Sequence, residues 1–231
     1  MNLLSLLLRL FFRLLYHPFA WTYDLVAWTV SLGRWRYWGE SVIPFIEGNH
    51  ILELGHGPGN LQCTLLDRQH DSGQPNSLLI VGLDESRQMG QLAKKHLSQH
   101  GYARPCIVRG LAQGLPFAAE TFETVVATFP TEYIFEEQTL SEVKYVLRSG
   151  GRLVVLPVAW VTGHIALDRF AAWLFRVTGQ APSDPVEIVC ENLKEPFQRA
   201  GFRVIIEQLE VKSSLLLIVI AQKNHYAQKT T

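Results

Sequence analysis

Cysteine is scarce in this chain, with only three among 231 residues. Cys63, Cys106 and Cys190 stand far apart, so the sequence has neither a disulfide framework nor the paired spacing of a cysteine metal site. We therefore expect three reduced cysteines, and the cysteine spacing predicts no metal site.

The chain also lacks an excess of charge of either sign. Lys and Arg together number 21, as do Asp and Glu, so the basic surface that binds a nucleic-acid backbone is not expected. A nucleic-acid partner is therefore disfavoured. Hydrophobic residues make up 48% of the chain, which is enough to bury one globular core.

A long unbroken apolar run is missing too, although residues 1–20 are rich in leucine and phenylalanine. Arg9 and Arg13 interrupt this segment, which argues against an export signal and against a bilayer-spanning helix of about 20 apolar residues. At helical periodicity its polar residues form one narrow stripe. The segment predicts an apolar amphipathic helix that packs on a membrane surface, on its own domain or on a partner chain. We expect a cytoplasmic protein, with residues 1–20 as a candidate for peripheral contact with the inner membrane surface.

An aromatic-rich stretch follows, and it includes Tyr23, Trp35 and Trp38. Its tryptophans are either anchors at a membrane interface or a cover for one side of a cleft or core. We divide the chain into an N-terminal helical segment, 1–40, and one domain, 41–231, with an insertion or lid at about 157–185.

From residue 50 onward, short apolar runs alternate with helical stretches. This pattern predicts an α/β fold, a Rossmann-like doubly wound sheet that is mostly parallel and has helices on both faces. Helices are expected after Gly59, from Glu85 to about Gln99, and from Glu137 to Leu147, where Gly150 and Gly151 end the helix. The strand candidates are HILEL, LLIVGL, PCIVR, ETVVAT and RLVVL, and two further runs separated by KSS predict an antiparallel C-terminal hairpin.

The first predicted strand leads directly into a glycine loop, Gly55-His56-Gly57-Pro58-Gly59. Glycines here let a ligand approach the backbone closely. Asn60 follows where a dinucleotide-binding loop requires glycine or alanine, which weakens a nicotinamide-dependent reductase as an alternative. The second strand ends at Asp84, whose carboxylate either binds ribose hydroxyls or caps a helix that begins at Glu85.

The stretches ILELGHGPGN, VGLDES, RGLAQGLPFAAETFETVVATFP and EVKYVLRSGGRLVVL resemble, in order and spacing, the motifs of class I S-adenosylmethionine-dependent methyltransferases. The resemblance covers roughly residues 20–222 and is nearest to the small-molecule branch that includes ubiquinone and menaquinone biosynthesis enzymes. It implies S-adenosylmethionine as cofactor and a small, apolar or lipid-like acceptor. Its implied cofactor contacts are Glu53, Gly55, His56, Gly57, Gly59, Asp84, Glu85, Ala112, Gln113 and Thr128.

Those contacts divide by the part of the cofactor that each would meet. The resemblance places the three loop glycines at the methionine end, Glu53 near the amino group and Asp84 on the ribose. Relatives often have an aspartate for the adenine amino group where this chain has Leu111. The Gln113 amide or a backbone carbonyl replaces that aspartate, or the adenine contact is weaker.

The candidates for acceptor chemistry follow the fourth strand and lie in the insertion. Glu132 or Tyr133 orients the acceptor or takes its proton, unless the segment is a plain surface turn. His164 is a possible base, although lone histidines are more often structural. Tyr23 is a candidate for a segment that closes over the cofactor. The alternative to an enzyme is a catalytically degenerate subunit that binds cofactor or attaches to a membrane.

Overall fold

The computed structural model describes residues 35–71, 78–102, 105–161 and 185–224. The predicted N-terminal helix over residues 1–20, Tyr23, His164 and most of the predicted insertion lie outside the described residues. In the described part of the chain, no helix is both long enough and apolar enough to cross a membrane.

The described residues form one sheet with helices. In chain order the elements are α1 (Trp35–Glu40), a 3-10 helix (Ile43–Phe45), β1 (His50–Leu54), α2 (Asn60–Asp71), β2 (Leu79–Asp84), α3 (Arg87–Gln99), β3 (Cys106–Arg109), β4 (Phe122–Thr128), a second 3-10 helix (Glu132–Phe135), α4 (Glu137–Val146), β5 (Leu147–Val161), α5 (Pro185–Arg199), β6 (Phe202–Glu210) and β7 (Ser214–Lys223).

The seven strands are ordered β3-β2-β1-β4-β5-β7-β6. The pairs among the first five are parallel, while β7 runs antiparallel to both β5 and β6. The mostly parallel sheet and the antiparallel C-terminal hairpin are therefore confirmed. Strands β1 and β4 are neighbours at the centre of the sheet, and the chain continues from β1 toward one edge and from β4 toward the other. Sheets of this kind bind ligands at the carboxyl ends of such a strand pair.

Both faces of the sheet are covered, which explains why its central strands are almost wholly apolar. Alternate residues of β1, β4 and β5 point to opposite faces. One face packs against α4 and α5, through side chains such as Val143 and Phe197. The other face packs against α1 and α2, through Trp38, Leu61 and Leu65. The prediction of helices on both faces is confirmed.

Two predicted helix boundaries are wrong. The third helix begins at Arg87, because the Ser86 hydroxyl caps it and accepts the N–H of Met89 at 3.3 Å. Asp84 is therefore not its cap. The fourth helix ends at Val146, where the following residue already has an extended backbone.

Gly150 and Gly151 lie inside β5 and do not end the helix. The pairing of β4 with β5 shifts register at this point, and a Cβ on Gly151 would lie 2.9 Å from the Glu123 carbonyl oxygen. Gly151 therefore allows the close backbone approach at the irregular start of β5. That strand continues to Val161, so residues 157–161 of the predicted insertion belong to the sheet.

Candidate active site

The glycine loop joins β1 to α2 at the carboxyl edge of the sheet. Gly55, Gly57 and Gly59 all have positive φ, at 66°, 52° and 83°. A Cβ on Gly59 would lie 3.2 Å from the Cβ of Ala93, so this glycine lets the loop pack closely against α3. Close packing therefore does not need a small residue at Asn60, which is the first residue of α2.

Asp84 ends β2 and holds the neighbouring backbone. Its Oδ2 accepts the N–H of Gly57 at 3.1 Å, and its Oδ1 accepts the N–H of Ser86 at 2.8 Å. A carboxylate has about four lone-pair sites, so each oxygen can still accept from a ligand hydroxyl. The carboxylate is half-buried and faces a cleft of about 230 Å³ beside the glycine loop.

Glu53 lies below the loop and is buried with His56 and Gln62. Burial raises the pKa of Glu53 to about 8; nearby Asp84 adds to the rise and the Gln62 amide opposes it. Burial also lowers the pKa of His56, against the pull of Asp84. The His56 ring is therefore neutral at neutral pH. Its Nδ1 lies 2.7 Å from the Gly57 carbonyl oxygen, so the ring braces the loop from beneath.

The segment after β3 lines the far side of the cleft. Leu111 is exposed, Ala112 is buried, and both line the cleft together with Glu85 and Gln113. The Gln113 side chain donates from Nε2 to Glu136 at 2.7 Å, which leaves its amide oxygen as an acceptor. An acceptor is the group that an adenine amino group would need here.

The end of β4 brings Phe129 to the wall of the cleft and packs it against two tryptophans of α1. Phe129 follows Thr128 with φ of 50° and stacks on Trp35, with ring centroids 4.2 Å apart. Trp38 lies next to the pair, 6.1 Å from the Phe129 ring. Thr128 and Phe129 line the cleft and also a smaller cavity that reaches Glu53 and Arg36. The interpretation of Trp35 and Trp38 as cover for a cleft and core agrees with these contacts.

Glu132 and Tyr133 lie in the 3-10 helix after β4 but differ in placement. Glu132 is exposed, whereas Tyr133 is half-buried and lines the cleft. A Cβ on Gly55 would lie 2.9 Å from the Tyr133 hydroxyl, which places that hydroxyl against the glycine loop. Of the predicted acceptor-orienting residues, Tyr133 is the one that faces the cleft.

Comparison with known proteins decides the family. The sequence profile of the ubiE/COQ5 methyltransferase family matches residues 12–183, which is well over half of the chain. The chain belongs to this family. It is an S-adenosylmethionine-dependent methyltransferase, as the motif resemblance predicted.

Individual relatives agree with the family match. A demethylmenaquinone methyltransferase of Symbiobacterium thermophilum is 29% identical over 82% of this chain and 84% of its own length. The ubiquinone/menaquinone biosynthesis C-methyltransferase UbiE of Geobacter sulfurreducens is 30% identical over 71% of this chain and 64% of its own length.

Solved structures agree on the fold. An S-adenosylmethionine-dependent methyltransferase of Aquifex aeolicus has a TM-score of 0.56 at 17% identity, covering 80% of this chain and 88% of that one. The [4+2]-cyclase SpnF has a TM-score of 0.58 at 17% identity, covering 83% of this chain and 82% of that one. Because a cyclase shares this fold, such likeness does not by itself specify the reaction.

One residue of this methyltransferase's site, Arg36, was missed by the sequence analysis. Arg36 lines the smaller cavity with Glu53 and Gly57, and its Nε lies 2.8 Å from Glu40. Trp35 precedes it in α1. The sequence around Arg36 gave no sign of this role, because only the packing of the folded chain brings Arg36 to a cavity that the glycine loop also lines.

Proposed function

We propose that the cleft binds S-adenosylmethionine along the carboxyl edge of the sheet. The methionine end lies on the glycine loop, the ribose hydroxyls bind Asp84, and the adenine lies beside Leu111, Ala112 and Gln113. Two features support this placement. Each oxygen of Asp84 can still accept from a ribose hydroxyl, and the glycines of the loop let a ligand come close to the backbone. Glu85 and Thr128, which line the same cleft, are further contacts.

Glu53 fits the amino group of this cofactor. It is buried next to the loop, and this burial is the main cause of its raised pKa. An ammonium group in the adjoining cavity would favour the ionised carboxylate. Arg36 lines the same cavity and is suited to the cofactor's own carboxylate.

We infer that the acceptor is a reduced quinone with an apolar tail, which is methylated on a ring carbon. The observation that carries this inference is Phe129, which lines both the cleft and the smaller cavity and stacks on Trp35, a residue of the smaller cavity. A flat aromatic surface favours a flat ring by stacking. The family relatives named above support it, because their names specify demethylmenaquinone or quinone biosynthesis.

The bound cofactor supplies an activated methyl group. The chain's task is then to align the acceptor and exclude water. Loss of a proton from a quinol hydroxyl raises electron density on the neighbouring ring carbon, which gains the methyl group and then loses its own proton to restore the aromatic ring. Tyr133 is placed to orient that hydroxyl, and the exposed Glu132 is placed to pass the proton to solvent. His164 remains a candidate base.

A lipophilic acceptor is dissolved in a membrane, so the enzyme must reach one. We propose that the apolar side of the predicted helix over residues 1–20 gives peripheral contact with the membrane surface, with Arg9 and Arg13 on its polar stripe at the headgroups. The division of the chain into an N-terminal helical segment, 1–40, and one domain, 41–231, is part of the same proposal. The use of the predicted insertion as a lid over the cleft is part of it too.

The deciding experiment is a methyl-transfer assay with the purified full-length chain. S-adenosylmethionine is mixed with a prenylated naphthoquinol that lacks the ring methyl group, kept reduced with dithionite. We expect a product heavier by one methyl group and one S-adenosylhomocysteine per product. The matched control is the same naphthoquinol already methylated at that carbon.

The outcomes separate the alternatives. Turnover that needs the free ring carbon supports the proposal. Tight S-adenosylhomocysteine binding without turnover on reduced quinones of either the naphthalene or benzene type would point to a degenerate subunit. Binding of reduced nicotinamide in place of S-adenosylhomocysteine would revive the reductase alternative.

A further inference from the structure

Helices α2 and α3 bring three metal-binding side chains together behind the glycine loop. Cys63 lies on α2, His96 lies in the last turn of α3, and His100 is the residue that caps the C-terminus of α3. The thiol sulfur and one ring nitrogen of each histidine all lie within 4.8 Å of one another. The two histidines are four residues apart and therefore share one face of their helix. Their rings meet edge to face, with centroids 4.9 Å apart.

The surroundings already orient both imidazoles. Nδ1 of His96 lies 3.2 Å from the Pro58 carbonyl oxygen, to which it must donate, so Nε2 carries the free lone pair. Nδ1 of His100 lies 3.5 Å from Asp67 Oδ2. The other oxygen of Asp67 accepts from the Tyr102 hydroxyl at 2.7 Å. A carbonyl or carboxylate behind the ring is the usual support of a metal-binding histidine.

We propose that Cys63, His96 and His100 form a binding site for Zn²⁺, with water in the fourth position. A thiolate with two imidazoles selects zinc over magnesium or calcium, which prefer oxygen ligands. Asp67 acts as a positioning residue that holds the His100 ring. The site lies apart from the proposed cofactor and acceptor contacts, and none of the three ligands lines the cleft.

A metal here would cross-link α2 to α3. Because His96 also contacts Pro58, the metal would fix the back of the glycine loop as well. Binding to the folded state alone stabilises that state.

The proposal departs from the sequence-based expectation of no metal site. That expectation rested on the spacing of the cysteines. The structure instead combines one cysteine with two histidines that lie more than thirty residues further along the chain, as the numbering shows. Only the packing of α2 on α3 makes them neighbours.

The test uses the full-length chain, treated with a chelator and then titrated with Co²⁺ as a spectroscopic substitute for Zn²⁺. We expect one Co²⁺ per chain, a thiolate-to-cobalt charge-transfer band in the near ultraviolet and the strong visible bands of tetrahedral cobalt. Added Zn²⁺ should displace the cobalt and raise the Tm.

Three variants and one control make the test specific. Cys63→Ser should abolish the charge-transfer band, and His100→Gln should weaken Co²⁺ binding by more than about 10-fold. Asp67→Asn should weaken it by about 10-fold while leaving the band in place. The control is Cys106→Ser, which removes an exposed cysteine on β3 and should bind as the wild type does.

The proposal fails if the wild type shows no charge-transfer band, or if the band survives in Cys63→Ser. It also fails if Cys106→Ser loses the band. Far-ultraviolet circular dichroism and S-adenosylhomocysteine binding of each variant verify the fold. His100 is exposed, so His100→Gln keeps the test decisive even if Cys63→Ser destabilises the core.

Discussion

Oδ2 of Asp84 accepts the backbone N–H of Gly57 at 3.1 Å, which joins the end of β2 to the loop after β1. One carboxylate thus fixes the loop and faces the cleft. A loop held this way needs little reordering when a ligand arrives, which is a general source of affinity. Asp84 is therefore the first residue to test.

We predict that Asp84→Ala weakens S-adenosylhomocysteine binding by at least about 10- to 100-fold, because losing even one hydrogen bond to a charged group costs about 1.5–3 kcal/mol. Isothermal titration calorimetry measures the Kd. Asp71→Ala, which removes an exposed carboxylate at the far end of α2, is the matched control. Equal affinities for wild type and Asp84→Ala would remove Asp84 from the ribose site.

The sequence predicts those parts of the fold that depend on local pattern. HILEL is β1 as expected, and the order of strand, glycine loop and helix places Gly55 and Asp84 at one edge of the sheet. Apolar runs and glycine spacing are properties of short segments, so they can be read without the tertiary structure.

Contacts between distant segments could not be predicted in the same way. The stacking of Trp35 on Phe129 and the approach of Cys63 to His96 each join residues that only packing makes neighbours. The capping of α3 by Ser86 was also missed, because Asp84 and Ser86 are both good helix caps and the hydrogen bond of Asp84 to Gly57 decides between them.

Gly82 in β2 gives a test of packing beneath the loop. A Cβ on this residue would overlap the Gln62 side chain and lie 2.9 Å from the His56 ring. We predict that Gly82→Ala lowers the free energy of unfolding by about 1–3 kcal/mol through overpacking. Urea denaturation measures the change.

The control for Gly82 is Gly90→Ala in α3. The nearest side-chain atom to a Cβ on Gly90 is 3.6 Å away, which is ordinary contact. Alanine also favours a helix interior by about 0.5–1 kcal/mol, so Gly90→Ala should be stabilising. If Gly82→Ala were neutral or stabilising, as Gly90→Ala is expected to be, the packing account of Gly82 would be wrong.

Leu111 gives a test of the adenine contact, because it is 55% exposed and lines the cleft. We predict that Leu111→Asp tightens S-adenosylhomocysteine binding by about 10-fold, through one new hydrogen bond to a charged acceptor. Leu111→Asn, which lacks the charge, should gain less. No gain in either variant would mean that the Gln113 amide oxygen or a backbone carbonyl already fills this role.

Phe129 gives a test of the acceptor site. We predict that Phe129→Ala raises the KM for the quinol by about 2- to 10-fold, because an aromatic pair contributes about 0.5–1.5 kcal/mol. S-adenosylhomocysteine affinity should change less than the quinol KM. Tyr145→Ala, which removes an exposed aromatic residue on α4, is the control. An unchanged KM in Phe129→Ala would contradict stacking of the acceptor on this ring.

Glu53 links the stability of the cofactor-free protein to pH. Its pKa is about 8 in the folded chain against an ordinary value of 4.5, so between these values the folded state keeps a proton that the unfolded state has lost. The unfolding free energy therefore falls as pH rises through this window. Below the window both states are protonated, and above it both are ionised, so the contribution of Glu53 is then constant.

We predict that Glu53→Gln removes this slope, because an amide does not ionise. Chemical denaturation at several pH values from 4.5 to about 8 should show the variant gaining stability relative to wild type as pH rises. Saturating S-adenosylhomocysteine should reduce the slope of the wild type, because its ammonium group favours the ionised carboxylate. Parallel curves for the two proteins without ligand would show that Glu53 is already ionised in the folded chain. A ligand effect that persists in Glu53→Gln would assign the ammonium contact to another residue.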